Sequence, residues 1–345
     1  MAWRKKQGMD MNHQKMEAPL IDPFGRAVTY LRISVTDRCD FRCQYCMAEN
    51  MTFLPKKDLL SFEELAKVSS SFVGLGTRKI RISGGEPLVR KNIMTLFEQL
   101  GHFVANGQLD ELTLTTNGSQ LKKYAHKLYE HHVRRINVSL DTLDAQKFAT
   151  ITRWGRLGPV LEGIQAAKDV GLKIKINTVA MKGFNDQEIP ELIRWAHGEG
   201  HDISLIETMP MGDVAPDRVD QYQSLTELLS QLRNDWTITS SGHKTGGPAV
   251  YYDVAETGGR LGLITPMSHN FCESCNRVRL TCTGILYMCL GQEDCYNLRD
   301  AYRNGQDMNL AIREAITLKP KGHDFVIDRE LGGISIDRHM SVTGG

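Results

Sequence analysis

Five short runs of this chain alternate apolar and polar residues with a period of two, and helical stretches lie between them. Ile80 and Ile82 stand on one side of their run while Lys79, Arg81 and Ser83 stand on the other, and Leu112 and Leu114 oppose Thr113, Thr115 and Asn117. The same split separates Ile136, Val138 and Leu140 from Asn137, Ser139 and Asp141. It separates Leu172, Ile174 and Ile176 from Lys173, Lys175 and Asn177, and Leu31 and Ile33 from Arg32 and Ser34. Strands alternating with helices make βα units and a parallel sheet. Strands covered on both faces ordinarily read as unbroken Val, Ile and Leu. Here the helices must cover the apolar face, so the polar face has to line an inner cavity. A solvent-facing edge accounts for one or two such strands but not for five.

The candidate strands are 29–35, 78–83, 111–116, 135–140, 172–179 and 202–207. One helix opens with the capping box Ser61-Phe62-Glu63-Glu64; others carry Leu157, Val160, Leu161 and Ile164, or Ile189, Leu192, Ile193 and Ala196. These elements predict an α/β fold, a partial TIM-like barrel of about six βα units with a polar lumen, whose ligands collect at the C-terminal strand ends. Residues 1–22 show no hydrophobic period and read as a loose leader rather than a transit peptide, given Asp10 and Glu17. Past Met209-Pro210-Met211-Gly212-Asp213 the rhythm weakens: 225–232 is helical, and 242–251 and 258–262 are loops or a short hairpin. A boundary near Pro216 divides the barrel, 23–216, from a C-terminal region, 217–327, and a tail, 328–345.

At 345 residues, 41% hydrophobic, the chain can hold one large domain and an extension. Lys and Arg total 42 against 41 Asp and Glu, which gives no overall field for nucleic acid or an acidic membrane. An anionic ligand must therefore be held by locally convergent cations. With no apolar run near 18 residues and no signal-peptide core, the expected location is the cytoplasm. Thiols stay reduced there, so the eight cysteines favour metal over disulfides.

Cys39, Cys43 and Cys46, spaced C-x3-C-x2-C, can turn toward one metal cluster. Ferredoxin-type clusters and structural zinc sites want four protein ligands, so a bare triad suggests an open coordination position. Buried apolar cysteines, a redox pair with a bystander, or a zinc site completed by a distant thiol are the alternatives. Gly84-Gly85-Glu86-Pro87 follows a strand end, where glycines let backbone approach a ligand, although an αL turn would ask for the same residues. Thr115 and Ser139 end further strands with hydroxyls that also suit ordinary turns. A second concentration is Cys272, Cys275, Cys282, Cys289 and Cys295, with enough thiols for a four-thiolate zinc site.

The first triad with Gly84-Gly85-Glu86-Pro87 resembles the radical S-adenosylmethionine enzymes. Adding 31–39, Cys272-x2-Cys275-x13-Cys289, Asn276-Arg277-Val278-Arg279 and the terminal Gly344-Gly345, residues 23–345 resemble the GTP 3′,8-cyclase family, which starts molybdenum cofactor synthesis. The resemblance implies a [4Fe–4S] cluster on Cys39, Cys43 and Cys46 that cleaves S-adenosylmethionine to a deoxyadenosyl radical. It implies a second [4Fe–4S] cluster on Cys272, Cys275 and Cys289 that contacts guanine, with Cys282 and Cys295 as bystanders. Arg32, Lys79, Arg81, Lys175, Arg277 and Arg279 match the family's GTP contacts, Arg277 and Arg279 acting in catalysis as well. Tyr45, Gly85, Thr115 and Ser139 match its cofactor contacts. Implied partners are a reductant such as flavodoxin or ferredoxin and, downstream, cyclic pyranopterin monophosphate synthase, with the chain a monomer or homodimer. Ser204 stands where some relatives carry arginine, and Asp40 and Ala48 where Asn and Pro are common. The tail from Asp328 is 18 residues, able to span about 60 Å against a radius of gyration of roughly 20 Å. On residues alone Gly344 and Gly345 are a frayed end; the resemblance places them in the active site.

Overall fold

Tyr30–Ser34 forms β1, buried along its whole length, and five further strands add to one side of it in order. These are β2 (Lys79–Ser83), β3 (Glu111–Thr116), β4 (Arg135–Ser139), β5 (Lys173–Ala180) and β6 (Asp202–Glu207), each parallel to its neighbour. Each lies within one residue of its expected bounds. The computed structural model describes residues 18–209, 211, 221–268, 271–323, 325, 336 and 338–344.

Helices α1 (Phe62–Gly74), α2 (Met94–Ala105), α3 (Leu121–Glu130), α4 (Ala145–Thr152), α5 (Leu157–Asp169) and α6 (Ile189–Gly198) return the chain between these strands. The capping box of α1 is formed both ways: Ser61 Oγ accepts from Glu64 N at 3.2 Å and the Glu64 carboxylate from Ser61 N at 2.7 Å. Such a cap is worth about 1 kcal/mol. Helix and strand meet through the apolar halves of the alternating runs, so Ile80, Ile82, Leu114, Ile136, Val138 and Ile176 are wholly buried. That burial is the fold's main driving force, at ~25 cal/mol per Å² removed from water.

The C-terminal region extends this same sheet at both edges. β10 (Arg277–Leu280) pairs parallel with the free side of β1, followed by antiparallel β11 (Ile285–Tyr287) and β12 (Cys295–Asn297). At the other edge β9 (Gly259–Ile264) pairs parallel with β6, and antiparallel β8 (Val250–Val254) and β7 (Ile238–Ser240) complete a sheet of 12 strands. Of the loops or short hairpin expected at 242–251 and 258–262, a hairpin forms: β8 and β9 pair antiparallel from Val250 opposite Leu263 to Val254 opposite Gly259, and β9 then joins the parallel sheet through β6. The β9 glycines hide the pattern for a steric reason. A Cβ on Gly259 would sit 2.2 Å from the His197 ring, and one on Gly262 would sit 2.4 Å from Ser204 Oγ. The anticipated boundary at Pro216 lies outside the described residues. Helix α7 (Leu225–Leu232) occupies its expected span, α8 (Leu298–Arg303) packs on β11 and on α9 (Met308–Thr317), and α9 packs on α1. Among the described residues no helix is long and apolar enough to cross a membrane.

Candidate active site

The pairing of β1 with β10 sets the geometry of the site. Tyr30 pairs with Arg277 and Arg32 with Arg279, the two strands running the same way. Cys39, Cys43 and Cys46 follow the C-terminal end of β1, whereas Cys272 and Cys275 precede the N-terminal end of β10. The two triads therefore stand at opposite ends of one strand pair, whose five residues of strand measure about 17 Å. All six cysteines line a single cavity. The first triad thus lies at a C-terminal strand end, where ligands were expected to collect, and the second lies at the N-terminal end of β10, which joins the sheet from the far end of the chain.

Between the triads the cavity wall is cationic. Arg32, Arg81, Lys175, Arg277 and Arg279 line it, and Arg32, Lys175 and Arg279 are each at most 7% exposed. Burial, then the neighbouring Arg279, holds Arg32 well below the usual guanidinium range, and burial with Arg277 brings Arg279 down to about 9. Lys175 is lowered by burial and then by Arg81, Arg135 and Lys79. Tyr30 lies among them, 1% exposed, with the Lys79, Arg81 and Arg277 charges 5.0–5.8 Å from its ring centroid. Burial alone would raise its phenol, but Arg81, Lys79, Arg32 and Arg277 outweigh it and bring the group down to about 8. Cations that depress one another in this way call for an anion.

Lys79 stands apart from this group. Its ammonium pairs with Glu111 at 2.7 Å and donates to the Thr245 carbonyl at 2.7 Å, and it does not line the cavity. Ser204 Oγ is buried without a hydrogen-bond partner among the described residues, close against Gly262 and Tyr251 rather than on the cavity wall.

The first cysteine loop is tied down from several strands. Arg42 donates to the Cys39 and Phe41 carbonyls and stacks over Trp154 and Phe53. Arg153, at positive φ beyond α4, donates to the carbonyls of Arg42 and Met47. Asp40 accepts from Asn117 and Ser119, and the Cys39 sulfur accepts from Phe41 N at 3.3 Å and Asn117 Nδ2 at 3.7 Å. Gly84 and Gly85 have no positive φ; they are needed because a Cβ would meet the Thr36 and Arg38 carbonyl oxygens at 2.6 and 2.3 Å. The close approach is to the chain's own cysteine loop, with Gly85 also on the cavity wall. Glu86 is buried and accepts from Leu88 N, Thr116 Oγ1 and Asn117 N; burial pushes its carboxyl up to about 8 against those three donors.

Tyr45, Thr115 and Ser139 line the cavity beside this loop, Tyr45 donating to Asp141 at 2.8 Å. Thr115 Oγ1, Asn137 Oδ1 and Asn177 Oδ1 are buried with no partner among the described residues. Orphaned polar atoms on a cavity wall mark where a polar ligand completes the bonding.

The described end of the chain also enters the cavity. Gly344, at φ 78°, accepts from Arg279 through its carbonyl at 2.9 Å, and a Cβ there would lie 2.1 Å from Ser83 Oγ. Gly345 lies outside the described residues. Sequence reasoning passed over Tyr30, and turned Asn137 and Asn177 inward without naming them as site residues. All three sit on the polar face of alternating strands, the signal that had marked their neighbours.

The Radical SAM superfamily matches residues 33–196 and Molybdenum Cofactor Synthesis C matches 201–325. The GTP 3′,8-cyclase of Sinorhizobium medicae is 66% identical over 331 residues, 95% of this chain and 95% of that protein. The chain belongs to the GTP 3′,8-cyclase family. The Brucella canis member is 64% identical over 330 residues, 95% of this chain and 96% of its own. Among solved structures, Streptococcus suis SuiB bound to S-adenosylmethionine superposes with a TM-score of 0.58 at 16% identity, over 87% of this chain and 74% of that one. That likeness concerns the fold.

The family's cofactors, two [4Fe–4S] clusters and S-adenosylmethionine, fit the residues present. None of the eight cysteines forms a disulfide, and both triads are half-buried on the cavity wall. Burial raises the Cys39, Cys43 and Cys289 thiols and would raise Cys275 as well, but Arg277 and Lys319 bring Cys275 below the usual thiol range. No three His, Cys, Asp or Glu side chains among the described residues converge on one metal ion. Cys282 is buried against Leu60 and away from the cavity, and Cys295 is exposed.

Proposed function

We propose that this chain converts GTP to (8S)-3′,8-cyclo-7,8-dihydroguanosine 5′-triphosphate, the opening step of molybdenum cofactor synthesis. The observation that carries this reading is a row of under-neutralised cations strung between two thiol triads at opposite ends of one strand pair. Cys39, Cys43 and Cys46 would hold one cluster with S-adenosylmethionine against Tyr45, Gly85, Thr115 and Ser139, and Cys272, Cys275 and Cys289 would hold the other. When bound, these groups supply hydrogen-atom abstraction at one end of the cavity and a metal contact for the purine at the other.

The remaining work belongs to the chain. Arg32, Arg81, Lys175, Arg277 and Arg279 receive the triphosphate, whose charge offsets the desolvation of buried cations. Lys79 acts behind them, held by Glu111, and Tyr30 packs against the cations that surround it. Holding a ribose hydrogen against the abstracting group removes much of the entropic barrier, and a closed wall keeps out stray hydrogen donors. Gly344 and Gly345 would close the wall at the tail end. Residues 23–216 and 217–327 divide as the barrel and the second-cluster region. Electrons would come from flavodoxin or ferredoxin, and the product would pass to cyclic pyranopterin monophosphate synthase, in the cytoplasm, with the chain as monomer or homodimer.

The deciding experiment is turnover by anaerobically reconstituted protein with dithionite and S-adenosylmethionine, offered GTP, ATP or a peptide. GTP alone should disappear, with one deoxyadenosine formed per cyclised product. Equal consumption of ATP, or no deoxyadenosine at all, would remove the assignment.

A further inference from the structure

Three basic side chains, distant in sequence, each reach one segment of the second triad. Arg26 donates from Nη1 to the Cys272 carbonyl at 2.7 Å and the Lys321 carbonyl at 2.8 Å, and from Nη2 to the Pro320 carbonyl at 2.5 Å. Arg338 donates from Nη2 to the carbonyls of Leu290 and Gln292, each at 2.9 Å, and lies 3.8 Å over the Tyr287 ring. Lys319 places Nζ 3.6 Å from Cys275 Sγ and 3.4 Å from the carbonyl of Met288, the residue before Cys289.

Their charges are balanced differently. Arg26 is paired with Asp22 at 2.5 Å and Arg338 with Glu293 at 2.6 Å. Lys319 is 3% exposed, and among the described residues it has no carboxylate within ion-pair distance; its partners are one thiol and one carbonyl. A buried ammonium left this way is costly, on the order of several kcal/mol, unless an anion stands beside it. The anion its surroundings offer is a thiolate-bound cluster on Cys272, Cys275 and Cys289. Nitrogen–hydrogen donors to ligand sulfur, and net charge near the metal, are the protein's means of setting a cluster's potential.

We propose that Lys319 donates a hydrogen bond to the Cys275 thiolate of the second cluster and sets that cluster's reduction potential, while Arg26 and Arg338 hold the flanking ligand segments in place. Lys319 is a positioning and tuning residue: it acts through Cys275 and does not line the cavity. An added electron makes the cluster more negative, so a neighbouring cation stabilises the reduced form and its loss moves the potential down.

This inference rests on the two-cluster reading, and the test separates the two. Holoenzyme is titrated potentiometrically and followed by electron paramagnetic resonance, with the first cluster identified as the signal that S-adenosylmethionine perturbs. In Lys319→Met the second-cluster midpoint should move to more negative potential with iron content and the first midpoint unchanged. Lys319→Gln, which keeps a donor and loses the charge, should move it less, and Lys319→Arg should restore it. Loss of the second signal in Lys319→Met with its recovery in Lys319→Arg supports the same assignment. An unmoved second midpoint in both neutral variants, or both clusters shifting together, overturns it. Unsubstituted protein with iron for only one cluster per chain would instead remove the two-cluster reading itself.

Discussion

Arg279 donates to the carbonyl of Gly344 at 2.9 Å, so a cation of the candidate triphosphate wall also anchors the described end of the chain. Gly344 adopts φ 78° with Ser83 Oγ where a Cβ would go. Alanine there would meet a left-handed backbone penalty of about 1–2 kcal/mol as well as the clash. Gly344→Ala should lower GTP cyclisation at least tenfold, since about 1.4 kcal/mol at the barrier is a factor of ten. Iron content should not change, because the side chains that crowd Gly344 are Ser83 and Arg32 and not cluster ligands. Product analysis by chromatography beside an iron assay checks both halves; normal cyclisation would return the tail to a frayed end.

Arg277 and Arg279 differ in what they hold, and their lysine variants should differ accordingly. Arg277 faces Tyr30 and the cavity, so Arg277→Lys keeps charge, loses the planar fork and should mainly raise KM for GTP. Arg279 also carries the tail, so Arg279→Lys should lower kcat as well, with the product of both effects visible in kcat/KM. Steady-state kinetics at saturating S-adenosylmethionine separate the two. Identical profiles for both variants would contradict the division of roles.

The barrel was legible because a period of two is a local property: Ile80 and Ile82 against Lys79 and Arg81 already say which face meets helices. The same pattern turned Arg32, Arg81 and Lys175 inward. What local pattern cannot carry is partner choice between remote segments. Lys79 and Arg81 look alike in sequence, but only Lys79 has Glu111 directly beside it across the β2–β3 register. Pairing of β10 with β1 joins residues about 250 apart, and it alone puts the second triad at the other end of the cavity. Strand β9 was legible only as part of a loop or short hairpin, and not as a strand of the main sheet, because Gly259 and Gly262 give up their side chains to His197 and Ser204.

The contact of Gly259 with His197 leads to a pH effect on stability. His197 Nδ1 lies 2.6 Å from Thr257 Oγ1 and Nε2 lies 3.1 Å from the Arg260 carbonyl, and His201 is 5% exposed at the start of β6. Burial lowers the pKa of both below the ordinary value of 6.5. The unfolded chain therefore takes up these protons at higher pH than the folded one, and stability from this source falls as pH drops through and below 6.5. Urea midpoints of cluster-free protein should decrease between about pH 7 and pH 5. The decrease should be shallower in His197→Gln and His201→Gln; an unchanged slope in both variants would count against the account.

Glu86 offers the sharpest test of how the first cysteine loop is held. Its two carboxylate oxygens accept three donors, Leu88 N and Thr116 Oγ1 on one and Asn117 N on the other, and Asn117 in turn donates to Asp40 and the Cys39 sulfur. A glutamine of the same shape has only one acceptor oxygen. Whichever way its amide turns, an N–H must face a buried N–H or hydroxyl donor, and leaving such a donor unmet costs about 1–3 kcal/mol. Glu86→Gln should destabilise cluster-free protein by roughly 2 kcal/mol in urea unfolding. The damage should also appear at Cys39, as loss of iron from the cluster that S-adenosylmethionine perturbs while the other signal persists. If the buried carboxyl, already pushed up to about 8, is held protonated by its surroundings, the substitution would leave stability and iron content untouched. The three donors suit the carboxylate, so the comparison is made above pH 8, where the group is ionised and the loss on substitution should be largest.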